Sequence, residues 1–195
     1  MCGSSCDCSS LSCTSLANLR VLIGTDPPRA QAMLDHLNAF LRATLTGSRR
    51  GSHPLAAEFD ALRDYLALMA VRMGPRLAVQ FELPPELRQA AVPPLLLQPL
   101  VENAIKHGLE PAVQGGRIEL AAHRQGSRLL LTVRDTGVGL PAALPAADDD
   151  SHFGLQQVRQ RLVALYGGEA RLTLAPADDG RGGTVALIEL PLAST

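Results

Sequence analysis

Glu102, Asn103, Lys106 and His107 fall together in residues 95–107, a run whose other positions are mostly apolar. In a helix, Glu102 and Lys106 stand four apart, as do Asn103 and His107, so all four share adjoining faces. An acid, an amide and an ammonium gathered there suit a Mg2+–phosphate site. Carboxylate and amide oxygens are hard ligands for Mg2+, and a lysine ammonium is a point charge for phosphate oxygens. The same spacing also describes a solvated helix face closed by an ion pair. Lysine usage sharpens the point: of 18 basic residues, Lys106 is the single lysine.

A second group is Asp135-Thr136-Gly137-Val138-Gly139, directly after the apolar run Leu129, Leu130, Leu131 and Val133. An aspartate at a strand end, followed by spaced glycines, offers a carboxylate acceptor beside backbone free of side chains. That suits an exocyclic amine such as the adenine amino group, with its ring over the glycines; Asp-Thr-Gly is equally an ordinary turn. A third is Phe153-Gly154-Leu155, opening a helix whose first N–H groups would face an anion. A fourth is Gly183-Thr184 at the start of the last strand, which also reads as a plain turn.

These groups need elements to position them. Leu16, Leu19, Val21, Leu22 and Ile23 begin a helical period that stops at Gly24. Thr25-Asp26-Pro27-Pro28 supplies a cap and prolines suited to a first turn. Ala30, Met33, Leu34, Leu37, Phe40, Leu41 and Leu45 then recur at helical intervals. After a loop at 46–52, a third helix follows from Pro54, with Leu55, Phe59, Leu62, Leu66, Met69 and Met73 in a heptad-like stripe ended by Gly74-Pro75.

From residue 77 the period changes. Leu77, Val79, Phe81 and Leu83 alternate as in a strand. Residues 94–107 read as a compact helix ended by Gly108. Residues 117–123 and 128–134 are strands joined by a turn, 140–151 a mobile connector, and 154–166 a helix closed by Gly167-Gly168. Residues 170–174 and 184–190 are strands. Helices with one apolar stripe each want a partner, which a homodimeric four-helix bundle supplies.

Composition removes other classes. With 46% hydrophobic and 19% charged residues in 195, the chain is globular. A formal charge of −1 provides no basic field for nucleic acid, and 3% aromatics without Trp disfavour a base-stacking platform. No apolar run approaches the roughly 20 residues that span a bilayer, and the expected location is cytoplasmic. Residues 1–15 hold six Ser and all four Cys. The spacing C-x3-C-x-C-x4-C matches no common zinc or iron–sulfur pattern, and this stretch reads as a low-complexity leader.

Taken in order, three runs resemble the N, G1 and G2 boxes of the LytS-type sensor histidine kinases. They are Leu97-Gln98-Pro99-Leu100-Val101-Glu102-Asn103-Ala104-Ile105-Lys106-His107-Gly108, then Asp135-Thr136-Gly137-Val138-Gly139-Leu140, then Phe153-Gly154-Leu155-Gln156-Gln157-Val158-Arg159-Gln160-Arg161-Leu162 with Tyr166-Gly167. This is the histidine-kinase branch of the superfamily that also holds DNA gyrase, heat-shock chaperones and mismatch-repair ATPases. The resemblance implies an α+β chain: a helical dimerisation hairpin over 16–75, then a two-layer α/β sandwich of the Bergerat ATP-binding type over 76–195. It implies ATP and Mg2+ as ligands. Asn103 would hold Mg2+, Glu102 and Lys106 would flank it as catalytic groups, and His107 would join the nucleotide site. Asp135, helped by Thr184, would bond adenine above Gly137 and Gly139. Residues 140–151 would form the lid, with Phe153, Gly154 and Leu155 at its phosphate end. Expected partners are a second copy through 16–75 and a response regulator, with any membrane attachment through segments outside this chain.

The chain departs from that pattern in three places. The acceptor histidine of the family opens a His-Phe-Leu-Phe-Asn run that should fall at 10–14, where this chain has Ser10-Leu11-Ser12-Cys13-Thr14. No acceptor is therefore assigned, and His36, bordering the stripe of the second helix, is the remaining candidate. His152 stands where a glycine is usual. Pro99 occupies the position, four before Asn103, where hydrolysing members place a glutamate base. Two further functions stay in view: an acceptor-less ATP-binding dimerisation module, and an anti-sigma-factor-type serine kinase, which the helical hairpin argues against.

Overall fold

The computed structural model describes residues 19–47, 51–140, 150–178 and 180–192, with the backbone alone at 43–47 and 150–153. Helix α1, residues 19–25, leads into α2 (Pro27–Gly47). Asp26 makes the joint: its Oδ1 accepts the Arg29 N–H at 3.2 Å, and the two prolines after it sit in the first turn, where no helical N–H is needed. The expected cap is therefore present. The Ser/Cys leader lies outside the described residues.

Helix α2 packs on α3 (Leu55–Met73), with Phe40 and Tyr65 ring centroids 5.6 Å apart. The expected stripe of α3 is buried throughout, from Leu55 to Met73, and Glu58, Tyr65 and Leu68 are buried beside it. More of α3 is covered than one stripe because a second layer lies against it. Its apolar face is thus satisfied within the chain and needs no second copy. The exposed apolar side chains of this region, Val21, Ile23, Leu34 and Leu41, lie instead on α1 and α2.

Two short strands, β1 (His53–Pro54) and β3 (Ala91–Val92), pair antiparallel and tie the start of α3 to the chain ahead of residue 98. The main sheet holds β2 (Leu77–Glu82), β4 (Gly116–Gln125), β5 (Arg128–Asp135), β6 (Arg171–Pro176) and β7 (Thr184–Pro191). Its order is β2-β4-β5-β7-β6, with β2 and β4 parallel and every other pair antiparallel. Period-2 alternation sends Ile118, Leu120, Leu129, Leu131, Val133, Ala186, Ile188 and Leu190 into the core. There they meet Leu100, Val101, Ile105 and Leu109, together with Leu155, Val158 and Leu162 of α5 (Asp150–Tyr166). The five strands lie at the expected places, and the two-layer α/β arrangement is present.

Two helices differ from expectation. Residues 94–97 are turns, since Leu95 takes a left-handed φ of 57°. The helix α4 covers only Gln98–Asn103 and then widens into a π turn, Ala104–Leu109, marked by the Glu110 N–H bonding Ile105 O at 2.9 Å. Gly108 lies inside that turn rather than ending a helix. Helix α5 opens at Asp150, four residues before the expected Gly154, so Gly154 is not one of its first free N–H groups.

Candidate functional site

Asp135 ends β5, in register with Ile118 of β4 and next to Thr184, which opens β7. It is 3% exposed, in the inner layer. Its Oδ1 accepts the Gly137 N–H at 2.9 Å, and the Thr184 N–H and hydroxyl also bond the carboxylate. Burial pushes this carboxyl above the ordinary aspartate range; the bonds from Gly137 and Thr184 and the charge of Arg134 pull the other way without cancelling it.

The carboxylate is set among backbone with no side chains. A Cβ on Gly108 would lie 2.6 Å from Asp135 Oδ1, and one on Gly137 would lie 2.0 Å from the Gly108 carbonyl oxygen. That carbonyl accepts the Val138 N–H at 3.0 Å. Gly183, at φ +92°, approaches so closely that a Cβ would sit 1.9 Å from Asp135 O. Gly108, Gly137 and Gly183 thus let three chain segments meet at backbone thickness around one buried acceptor. A flat ring with a hydrogen-bond donor at its edge fits such a cradle. Of these three glycines, the sequence motif points only to Gly137; it also points to Gly139, which lies in ordinary contact range of Gly183. The signal for Gly108 was present, as a glycine straight after a polar helical run, but the same signal marks any helix end.

On α4, Gln98 Nε2 donates to Glu102 Oε1 at 2.8 Å. Glu102, Asn103 and His107 are half-buried and Lys106 is exposed. The Glu102–Lys106 ion pair of the alternative, solvated-face reading is not formed among the described residues. The π turn begins between them, and i→i+5 bonding no longer stacks residues four apart. Lys106 is thereby left turned to solvent, with its charge available to an anion. Among the described residues no group of three or more His, Cys, Asp or Glu could hold a metal by itself. Mg2+ needs no such cage, since it is commonly held by one or two protein oxygens plus substrate phosphates and water; the Glu102 and Asn103 oxygens fit that thinner set.

Helix α5 closes this side. A Cβ on Gly154 would lie in ordinary contact, 3.5 Å, with Pro99, Leu155 is buried, and Arg161 Nη1 donates to the Pro94 carbonyl. The Phe153 and His152 side chains and residues 141–149 of the expected lid lie outside the described residues, as do Ser10–Thr14. His36 stands on α2, half-exposed, its Nδ1 2.8 Å from Asp64 Oδ1. No helix of the described residues is long and apolar enough to cross a membrane.

The family model of histidine kinase-, DNA gyrase B- and HSP90-like ATPases matches residues 94–194. The histidine kinase model matches residues 13–77. Sensor protein LytS of Staphylococcus haemolyticus is 32% identical over 174 residues, 85% of this chain and 30% of LytS. Sensor histidine kinase BtsS of Escherichia coli K12 is 32% identical over 166 residues, 84% of this chain and 28% of BtsS. The chain therefore spans less than a third of the length of these relatives. Among solved structures, the histidine kinase domain of the blue-light activated kinase of Erythrobacter litoralis EL346 superposes with a TM-score of 0.55 at 21% identity, covering 90% of this chain and 84% of that one. Acinetobacter baumannii histidine kinase AdeS gives 0.54 at 14% identity, covering 98% of this chain and all of that one (100%). Both likenesses concern the fold.

Proposed function

This chain belongs to the histidine kinase-, DNA gyrase B- and HSP90-like ATPase family, and from that membership we propose that it is the ATP-binding and dimerisation region of a two-component sensor histidine kinase. It binds Mg-ATP and transfers the γ-phosphoryl group to a histidine, from which a response regulator receives it. The observation that carries the nucleotide assignment is the buried Asp135 carboxylate in its glycine cradle.

Asp135 accepts the adenine amino group and Thr184 orients the carboxylate. Gly137 and Gly139 give the ring room. Asn103 would hold Mg2+, with Glu102 flanking it as a catalytic group, and the ion would neutralise triphosphate charge. Lys106 pairs with phosphate oxygens, His107 supports the same turn, and the first turns of α5 around Phe153, Gly154 and Leu155 face the phosphates. The protein does little covalent chemistry: it positions the γ-phosphoryl group in line with a histidine nitrogen and stabilises the charge. Pro99 offers no base for water, which favours transfer over hydrolysis. A second copy packs on the exposed apolar residues of α1 and α2.

A second reading has its own observation: residues 10–14 carry no imidazole. On that reading the chain binds Mg-ATP and dimerises without labelling itself. Incubation with γ-labelled ATP and Mg2+, then acid and alkali treatment, separates the two. Acid-labile, alkali-stable label means a histidine here accepts phosphate, and loss of label in His36→Gln would assign it. ATP binding without label selects the acceptor-less module. Absence of ATP binding overturns both.

A further inference from the structure

Glu58, Tyr65 and Arg72 stand seven residues apart on α3, so each step is about two turns and all three share one face. That face adjoins the apolar stripe of the helix. It turns to residues 95–110, the segment that carries Glu102, Asn103 and Lys106.

Glu58 meets the start of the segment. It is 2% exposed. Its Oε2 accepts the Leu95 N–H at 2.9 Å, and its Oε1 accepts the Leu97 N–H, also at 2.9 Å. Leu97 immediately precedes the first turn of α4, so the carboxylate caps that helix from another element. Leu95 is the only non-glycine residue with positive φ among the described residues. A left-handed residue that bears a side chain persists where surrounding bonds over-determine it, and the Glu58 carboxylate supplies one of them. His53 Nε2 lies 2.9 Å from Glu58 Oε2 and completes the shell.

Tyr65 and Arg72 meet the rest. The buried Tyr65 hydroxyl lies within electrostatic reach of both Glu102 and Arg72; burial first, then the Glu102 charge, raises its pKa. Arg72 pairs with Glu110, the residue after the π turn, and Arg76 Nη2 donates to Ala112 O at 2.7 Å. One helix therefore grips the segment at both ends, while the Asp135 cradle is built on β5, the π turn and β7.

We propose that Glu58 is a positioning residue whose clamp on the Leu95 and Leu97 N–H groups fixes the Mg2+–phosphate half of the nucleotide site and ties it to the helical hairpin. This rests on the reading of residues 98–106 as that half. A movement of α3 is then felt at Glu102 and Asn103 before it is felt at Asp135.

The test is titration of the whole chain with Mg-ATP and with adenosine, in wild type, Glu58→Gln and Arg72→Gln, with melting recorded for each. A Gln at position 58 offers one acceptor oxygen in place of two, and Arg72→Gln leaves Glu110 partly exposed to water. The expected result is a loss of Mg-ATP affinity of at least about fivefold in Glu58→Gln, the low end of coupling between sites, with adenosine affinity kept within about twofold. Arg72→Gln follows the same pattern more weakly, and it carries the test if Glu58→Gln does not fold. Equal loss of both ligands, or no loss of either, overturns the positioning role. A wild-type chain that binds neither ligand overturns the nucleotide reading instead.

Discussion

A Cβ on Gly108 would stand 2.6 Å from Asp135 Oδ1. The π turn that ends the first motif is therefore packed directly on the acceptor that opens the second. Gly108→Ala should displace the carboxylate and lower adenosine affinity about tenfold, or about 1.4 kcal/mol, in a chain that still melts cooperatively. Gly137→Ala differs, because its Cβ would meet the Gly108 backbone at 2.0 Å. There the loop itself must move, and thermal melting should report a loss of about 1–3 kcal/mol, the usual range for overpacking.

The raised carboxyl of Asp135 gives a pH signature. The ionised carboxylate accepts an amine hydrogen more strongly than the neutral acid does. Nucleotide affinity should fall as pH drops through a value above the ordinary aspartate range, and calorimetry across mildly acid pH checks it. The sign for stability is opposite. A carboxyl whose folded pKa is raised contributes stability below its unfolded pKa and loses it as pH rises through the folded one. At neutral pH the buried charge is a cost, so Asp135→Asn should not lower the melting temperature.

Leu34 and Leu41 are 39% and 47% exposed on α2, while the stripe of α3 is covered within the chain. Charges at Leu34 and Leu41 should convert a dimer to a monomer in sedimentation, with adenosine affinity unchanged. A chain that sediments identically before and after would remove α2 from the interface.

Lys106 is the exposed cation on the π turn. Lys106→Ala should weaken ATP and leave adenosine unaffected, since only ATP brings phosphates. The difference should shrink at high ionic strength, because an exposed charge is screened.

Much of this was legible in residue order. Period-2 alternation located the five strands and the stripe from Leu55 to Met73 located α3, because both periods are set by burial on one face. Asp135 was legible for a different reason: a strand-end carboxylate followed by spaced glycines narrows the ligand chemistry. What escaped depends on tertiary approach. Gly108 looks like a helix end until Asp135 is known to lie on it. Gly183 looks like a turn until the Asp135 backbone is seen to need its space. The π turn has no signal of its own, and it undid the Glu102–Lys106 pairing drawn from regular helical spacing. Glu58 was passed over because an acid near the start of an exposed helix is ordinary, whereas here it is buried with two backbone N–H groups to satisfy.

The most direct test of the account is titration of ATP, with Mg2+ present, into the wild-type chain and into Asp135→Asn at neutral pH. An asparagine keeps the shape but accepts on one side only, so it cannot serve the Gly137 N–H and an adenine amine as the carboxylate does. Binding by the wild type is expected, with a loss of about tenfold or more in Asp135→Asn, the scale of one hydrogen bond to a charged group, and no fall in melting temperature. Equal ATP affinity in the two proteins would contradict it.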